Sequence, residues 1–523
     1  MNGDGEFLCH AARIGALPLQ PLGGLELLER IPARMARELQ VFPFDLDQGV
    51  LKFAISDPRD DRRIGAVRQM FEGLEVEAYF APDEEITRAI ERFYVVHDDE
   101  VNEDPGPGVA GSPNQVVALD SQIGGRLDRV LSPGPDEPIT EMVRKLITDA
   151  LERRASDIHL EPLAGSVRVR NRVDGVLREV GGASKGHHLS IVSRIKILSR
   201  ISIAERRRPQ DGQMRVRNGG REIDLRVSVV PTVHGESVVM RVLDGTSAKR
   251  QLSDLGFDPT AEWNWRQLTS RPAGLILVTG PTGSGKSTTL YSVLNSLNAP
   301  GRKIVTVEDP VECRIEGINQ VAVHREIGMS FACAMRALLR QAPDILMVGE
   351  VRDRETADLA VNAAMTGHLV LSTLHTNDAC GAITRLSDLG VKPFMIATAL
   401  RGVLAQRLVR KICHHCRVPV EFSQQERDAI ARLGGADGLV HAYKGRRCEA
   451  CEGSGFSGRT GLFELLTIGP QLQRAIHEGA PPRHLKSLWR SEGGRSLKED
   501  GFEKVSAGLT TIGEVLATLS TQE

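Results

Sequence analysis

The run Gly280-Pro281-Thr282-Gly283-Ser284-Gly285-Lys286-Ser287 constrains this chain more than any other. Its glycines let backbone N–H groups close on an anion, Lys286 stands where it reaches β- and γ-phosphates, and Ser287 offers a hydroxyl to Mg²⁺. The apolar "LILVTG" before the run reads as a strand, and "STTLYSVLNSL", from Ser287 through Thr288 onward, reads as a helix. A strand, a glycine loop and a helix in that order belong to a parallel α/β sheet that binds phosphate at its strands' C-terminal ends.

The rest of the chain must be fitted around that unit. A length of 523 residues exceeds one hydrophobic core and implies about three or four domains. Residues 1–100 have the pattern of a small α/β domain: "LELLERIPARMARELQ" and "DEEITRAIERFY" have helical spacing, and "VFPFDL" and "LKFAIS" read as strands. Residues 101–137 are rich in Pro and Gly, which predicts a flexible linker. Residues 138–248 open on an amphipathic helix and continue as hairpins, one of them turning at Asp174-Gly175. Residues 249–409 hold the phosphate loop among alternating strands and helices, 410–456 hold two cysteine pairs, and 457–523 are expected to form a C-terminal helical part of the phosphate-loop domain.

Composition removes some classes of function. A formal charge of −2 gives no global attraction to nucleic acid or anionic lipid, and aromatics at 4% supply few stacking platforms for bases. No apolar run approaches the roughly 20 residues of a spanning helix, and "MNGDGEFLCH" lacks the plan of a signal peptide. The expectation is a cytoplasmic chain that meets a membrane only through protein partners.

Three further stretches place acids and histidines near the loop. "KIVTVEDPVE" ends a strand with Glu308, Asp309 and Glu312, and in "DILMVGEVRD" Gly349 stands where many such enzymes carry Asp, followed by Glu350. A carboxylate at either strand end is placed to orient Mg²⁺ or an attacking water. "TGHLVLSTLHTNDA" sets His368 and His375 at opposite ends of another strand. Cys413, Cys416, Cys448 and Cys451 form two Cys-x-x-Cys pairs, and four thiolates satisfy tetrahedral Zn²⁺ with no open position for catalysis. The interval between the pairs is longer than a usual zinc ribbon's, so spacing alone is not decisive, and His414 and His415 lie within the first pair's turn.

Together "TVEDPVE", "ILMVGEVRD", "TGHLVLSTLHTNDA", "ASDIHLEP", "RRPQDGQ" and "DLRVSVVPTVHGESVVMRVL" resemble the secretion ATPase superfamily, closest to its type II secretion and type IV pilus assembly branch. The resemblance covers nearly the whole chain. It implies a RecA-like ATPase core preceded by a PAS-like α+β domain, with a small N-terminal docking domain and a zinc-binding insertion. It also implies a homohexamer that hydrolyses ATP with Mg²⁺, recruited through residues 1–100 to an inner-membrane secretion platform and driving pseudopilus assembly and protein export. Pilus extension is the alternative within the family. It carries over Glu308 and Glu350 as the acids around Mg²⁺ and water with their roles undivided, and His375 on the phosphate side. Arg226 and Arg241 are carried over as arginines approaching the phosphates. A nucleic-acid-translocating ring fits poorly, since the densest basic run, Arg206-Arg207-Arg208, lies inside a motif of the resemblance. A non-catalytic scaffold is disfavoured by the complete loop with its acids. Cyclic-dinucleotide binding is not expected, because only Arg13-Ile14-Gly15 fits the motif it needs.

Overall fold

A computed structural model describes residues 36–520, apart from 37–38, 48–49, 71–74, 95–115, 119–138, 244, 246–249 and 433–441. It divides into two compact units, up to Asn114 and from Gln115 onward.

In the first unit, strands β1 (Val41–Asp47), β2 (Val50–Ile55) and β3 (Glu75–Phe80) form one sheet, antiparallel between β1 and β2 and parallel between β2 and β3. Helices Asp61–Met70 and Asp83–Tyr94 accompany it, and Phe42, Phe53, Ile55, Ile86 and Ile90 close the core. The helix expected over 25–40 lies almost wholly outside the described residues.

The second unit opens with a correction to the linker expected over 101–137. Val116–Ala118 form a strand, β4, parallel to β8 (Gln210–Asn218). Val-Val-Ala is a short β-compatible run in a Pro/Gly-rich segment, and the edge of β8 offers it unpaired N–H and C=O groups. The sheet runs β4-β8-β9-β10-β5-β6-β7, with β5 Asp157–Pro162, β6 Ser166–Val173, β7 Val176–Ser184, β9 Arg221–Thr232 and β10 Gly235–Leu243. The β6–β7 turn takes positive φ at both Asp174 and Gly175, as a two-residue hairpin demands. Helix Ile139–Glu152 buries Met142, Val143, Leu146, Ile147 and Ala150 in this domain's core, as its spacing foretold.

The phosphate-loop sheet has seven strands ordered β13-β12-β14-β15-β11-β16-β19: β11 Gly274–Thr279, β12 Ile304–Glu308, β13 Asn319–Ala322, β14 Ile345–Val348, β15 Leu369–Leu374, β16 Leu400–Ile412 and β19 Phe456–Thr467. All pairings are parallel except β16 with β19. Every residue of β11, β12, β14 and β15 is buried, which explains why these strands read as unbroken apolar runs. The cysteine segment is inserted between β16 and β19, and its own strands β17 (Arg417–Val420) and β18 (Ala442–Gly445) pair antiparallel. Among the described residues no helix is long and apolar enough to cross a membrane.

Candidate active site

The loop leaves β11 and enters helix Lys286–Leu297 directly, so its backbone donors lie at a helix N-terminus. Gly285 caps that helix at φ 88°, and a side chain there would bring Cβ within 2.8 Å of Gln406 Nε2. Lys286 Nζ donates to the carbonyls of Gly280 (2.9 Å) and Pro281 (3.0 Å). Burial holds the Lys286 ammonium below its usual range, and Glu350 acts against that shift. The Ser284 hydroxyl is buried with no hydrogen-bond partner among the described residues. An orphan hydroxyl and a desolvated ammonium at a helix N-terminus suit a polyphosphate.

The structure separates the acids that the sequence grouped. Glu308 is 4% exposed, and its carboxylate accepts from Thr306 Oγ1 (2.5 Å), Gln320 Nε2 (3.1 Å) and the Tyr291 hydroxyl. With its lone pairs so engaged, Glu308 is a buried acid braced by three donors. Glu312, four positions on, is the more exposed of the two. Ser287, Arg241 and Lys286 lie close enough to its carboxylate to favour the charged form. Glu312 is open to solvent on one side, yet packing on the others raises its carboxyl above the usual value, and the charge of Glu308 adds to the rise. Tyr291 joins the two acids, since its oxygen also accepts from the Glu312 backbone N–H at 3.3 Å.

Gly349 is closely packed, because a Cβ there would meet the Val307 carbonyl at 3.3 Å and Glu308 Cα at 3.4 Å. That crowding accounts for a carboxylate one residue later. Glu350 pairs with Arg352 at 2.5 Å and lies 3.8 Å from His375 Nε2. Burial, with Lys286 and Arg352 nearby, pushes His375 below its ordinary value, so its imidazole is neutral at pH 7. His368 is at the other end of β15, where Nδ1 meets the Ala363 carbonyl at 3.0 Å. It serves the helix end there, far from the loop along the strand.

Arg226 and Arg241 are direct cross-strand partners on β9 and β10, both exposed. Arg241 Nε donates to Asp157 at 3.0 Å, and its charge reaches Glu312. Sequence reasoning missed Gln406 and Arg407, which are 2% and 3% exposed on β16 beneath the loop. The available signal was two adjacent polar residues inside the apolar run "GVLAQRLV".

The second cluster lies on the insertion. The ligand atoms of Cys413, Cys416, Cys448 and Cys451 all lie within 4.8 Å of one another, with Sγ···Sγ separations of 3.9 Å for 413–448 and 416–451 and 3.8 Å for 448–451. Tetrahedral thiolates at the ordinary Zn–S distance of about 2.3 Å stand roughly 3.8 Å apart, so the four fit one Zn²⁺. His414 and His415 are exposed, their rings tilted at 40° with centroids 3.8 Å apart, outside this set.

Residues 134–517 match the family described as Type II/IV secretion system protein, and residues 16–100 match the MshEN domain. The type IV pilus assembly ATPase PilB of Thermus thermophilus is 42% identical over 93% of this chain, which spans 54% of that longer relative. The type II secretion system ATPase E of Vibrio cholerae is 46% identical over 74% of this chain and 76% of its own length. Among solved structures, the pilus retraction motor PilT with bound ADP aligns over 72% of this chain and 96% of its own, at 27% identity and a TM-score of 0.50.

Proposed function

Because this chain belongs to the Type II/IV secretion system protein family, we propose that it is the motor ATPase of a type II secretion system, hydrolysing ATP to drive pseudopilus assembly and protein export. The observation that carries this reading is the meeting of Lys286, Ser287, Glu312, Glu350 and His375 at the C-terminal ends of neighbouring strands. Loop backbone N–H groups and Lys286 hold the β- and γ-phosphates, and Ser287 with Glu312 and Glu350 holds Mg²⁺. When bound there, Mg²⁺ would neutralise charge on the phosphate oxygens. Glu312 takes the proton of the attacking water. Glu350 is fixed by Arg352, and neutral His375 is free to donate to a phosphate oxygen. Arg241 and Arg226 supply positive charge from the second domain, in a homohexamer that brings nucleotide between the two domains. Cys413, Cys416, Cys448 and Cys451 hold Zn²⁺, which contributes folding free energy to the insertion.

Residues 1–100 are the docking module in this reading. They hold the protein at the cytoplasmic face of the inner membrane through platform proteins, and the match to the MshEN domain supports a separate module there. Pilus extension is the second reading, favoured by the identity to the pilus assembly ATPase across most of the chain. The test is phosphate release by the full chain with Mg²⁺, followed by complementation of secretion and of pilus extension in strains lacking each motor. Restored export with no restored pili supports the first reading. Restored pili alone supports the second, and no phosphate release overturns both.

A further inference from the structure

Gln406 and Arg407 are neighbours on β16, so their side chains leave opposite faces of the sheet. Gln406 Nε2 donates to the Ser284 carbonyl at 2.9 Å while its Oε1 accepts from Thr289 Oγ1 at 2.7 Å. One amide therefore grips both the phosphate loop and the first turn of the helix behind it. Arg407 Nη2 donates to the Asn377 carbonyl at 2.8 Å and Nη1 to the Gln406 carbonyl at 3.0 Å. Asn377 is two residues beyond His375 in the turn that closes β15.

That turn is also tied to β11 from its other side, where the Thr376 N–H donates to Thr279 Oγ1 at 2.8 Å. The guanidinium thus completes a frame whose members are the end of β11, the His375 turn and the loop. Arg407 Nε is buried with no hydrogen-bond partner among the described residues, and neither Nη bond goes to a carboxylate. Burying a cation among carbonyls is costly, and an apolar side chain would fill this part of the strand without that cost. The charge also bears on Lys286, making the loop more electropositive.

We propose that Gln406 and Arg407 are a pair of positioning residues for ATP hydrolysis: Gln406 sets the phosphate loop, and Arg407 sets the His375 turn against it. The proposal rests on the ATPase reading above. Two substitutions separate the halves, each measured on the full chain at matched oligomeric state. Arg407→Lys keeps the charge but loses the fork that spans two carbonyls. It lowers kcat about tenfold or more with KM for ATP within about twofold, since small displacements of a catalytic turn act on the transition state. Gln406→Met keeps the volume and loses both polar ends. It weakens binding of a fluorescent ATP analogue about tenfold and lowers kcat less.

The discriminating readout is a double-mutant cycle with His375→Ala. If Arg407 acts through the turn, Arg407→Lys lowers kcat less than about twofold in the His375→Ala background. An equal loss in both backgrounds, or a His375→Ala variant with the wild-type rate, overturns the Arg407 half. Unchanged analogue affinity in Gln406→Met overturns the other. If the wild-type chain releases no phosphate, it is the ATPase reading that falls, and analogue affinity still decides the Gln406 half.

Discussion

The cysteine cluster draws its four ligands from two short turns, whereas the phosphate site draws its groups from the ends of four strands, β11, β12, β14 and β15, with Gln406 and Arg407 set within a fifth, β16. In the cluster, a Cys-x-x-Cys turn fixes the relation of its two sulfurs locally, and folding has only to bring two turns together. In the phosphate site each side chain's place depends on where its strand ends and which way the chain turns after it. Glu308 and Glu312 are four positions apart in sequence, yet one is sealed beneath Tyr291 and the other is open to solvent. Local chemistry is encoded by spacing, and distributed chemistry by topology.

The largest effect that tests this contrast is at Lys286. Lys286→Ala removes the ammonium that faces the phosphates and should lower phosphate release at least about a thousandfold, while zinc content by metal analysis stays at one ion per chain. A parallel loss of zinc would show that the two sites are not independent.

Next come the two acids. Glu312→Gln should lower kcat on the order of a hundredfold or more, because the proton acceptor is lost. Glu308→Gln should leave kcat within about tenfold but cost about 1–3 kcal/mol of stability, since an amide replaces one acceptor oxygen by a donor among three donors. Thermal unfolding and turnover of both variants check the pair, and equal losses of kcat would erase the distinction between them. The sign of the pH dependence follows from the raised carboxyl of Glu312. Its contribution to folding is present below the unfolded carboxyl value of about 4.5 and is lost as pH rises through the higher folded value. Glu312→Gln should therefore be slightly stabilising at pH 7, the effect kept small by solvent at its open side. In the wild type, the acid limb of kcat should have its midpoint above the ordinary carboxylate range.

These acids also mark how far the sequence could be read. The loop, the strand before it and the helix after it were legible because an invariable local geometry underlies them, and the hairpin at Asp174-Gly175 was legible because both residues tolerate positive φ. The different surroundings of Glu308 and Glu312 could not be read, because three acids at a strand exit differ only in direction, which spacing does not encode. Gln406 and Arg407 escaped notice because their partners, Ser284, Thr289 and Asn377, are distant in the chain. The strand Val116–Ala118 was hidden by its Pro/Gly-rich surroundings, and only the edge of β8 gives it a partner.

A smaller effect on catalysis is expected at the cysteines. Cys451→Ser should release zinc and destabilise the insertion by on the order of 4–5 kcal/mol, the usual scale for losing a structural metal. Phosphate release should change only a few-fold, because the insertion lies beyond the β16–β19 pair and contributes no group to the phosphate site. Metal analysis with proteolysis of the insertion checks the first claim. A collapse of kcat to the Lys286→Ala level would mean that the cluster sets the geometry of the loop.

The smallest effect concerns a place where the cysteine insertion touches the second domain through charge. Glu452, next to Cys451, accepts from Arg153 at 3.1 Å and lies 3.8 Å from Arg178. All three side chains are partly exposed, so the pairs are worth about 0.2–1 kcal/mol together with their entropy cost, and salt screens them. Glu452→Gln should lower the unfolding free energy by less than about 1 kcal/mol, and the difference from wild type should vanish near 1 M salt. Glu452 also holds φ at 49°, a left-handed conformation that costs a side-chain-bearing residue about 1–2 kcal/mol. Glu452→Gly removes the charge and relieves that strain, so it should be neutral or slightly stabilising where Glu452→Gln is destabilising. Denaturant titrations of both variants at low and high salt separate the two terms. If both variants lose more than about 2 kcal/mol with zinc retained, the contact couples the insertion to the second domain far more strongly than exposed ion pairs can, and the independence drawn between local and distributed sites fails at this point.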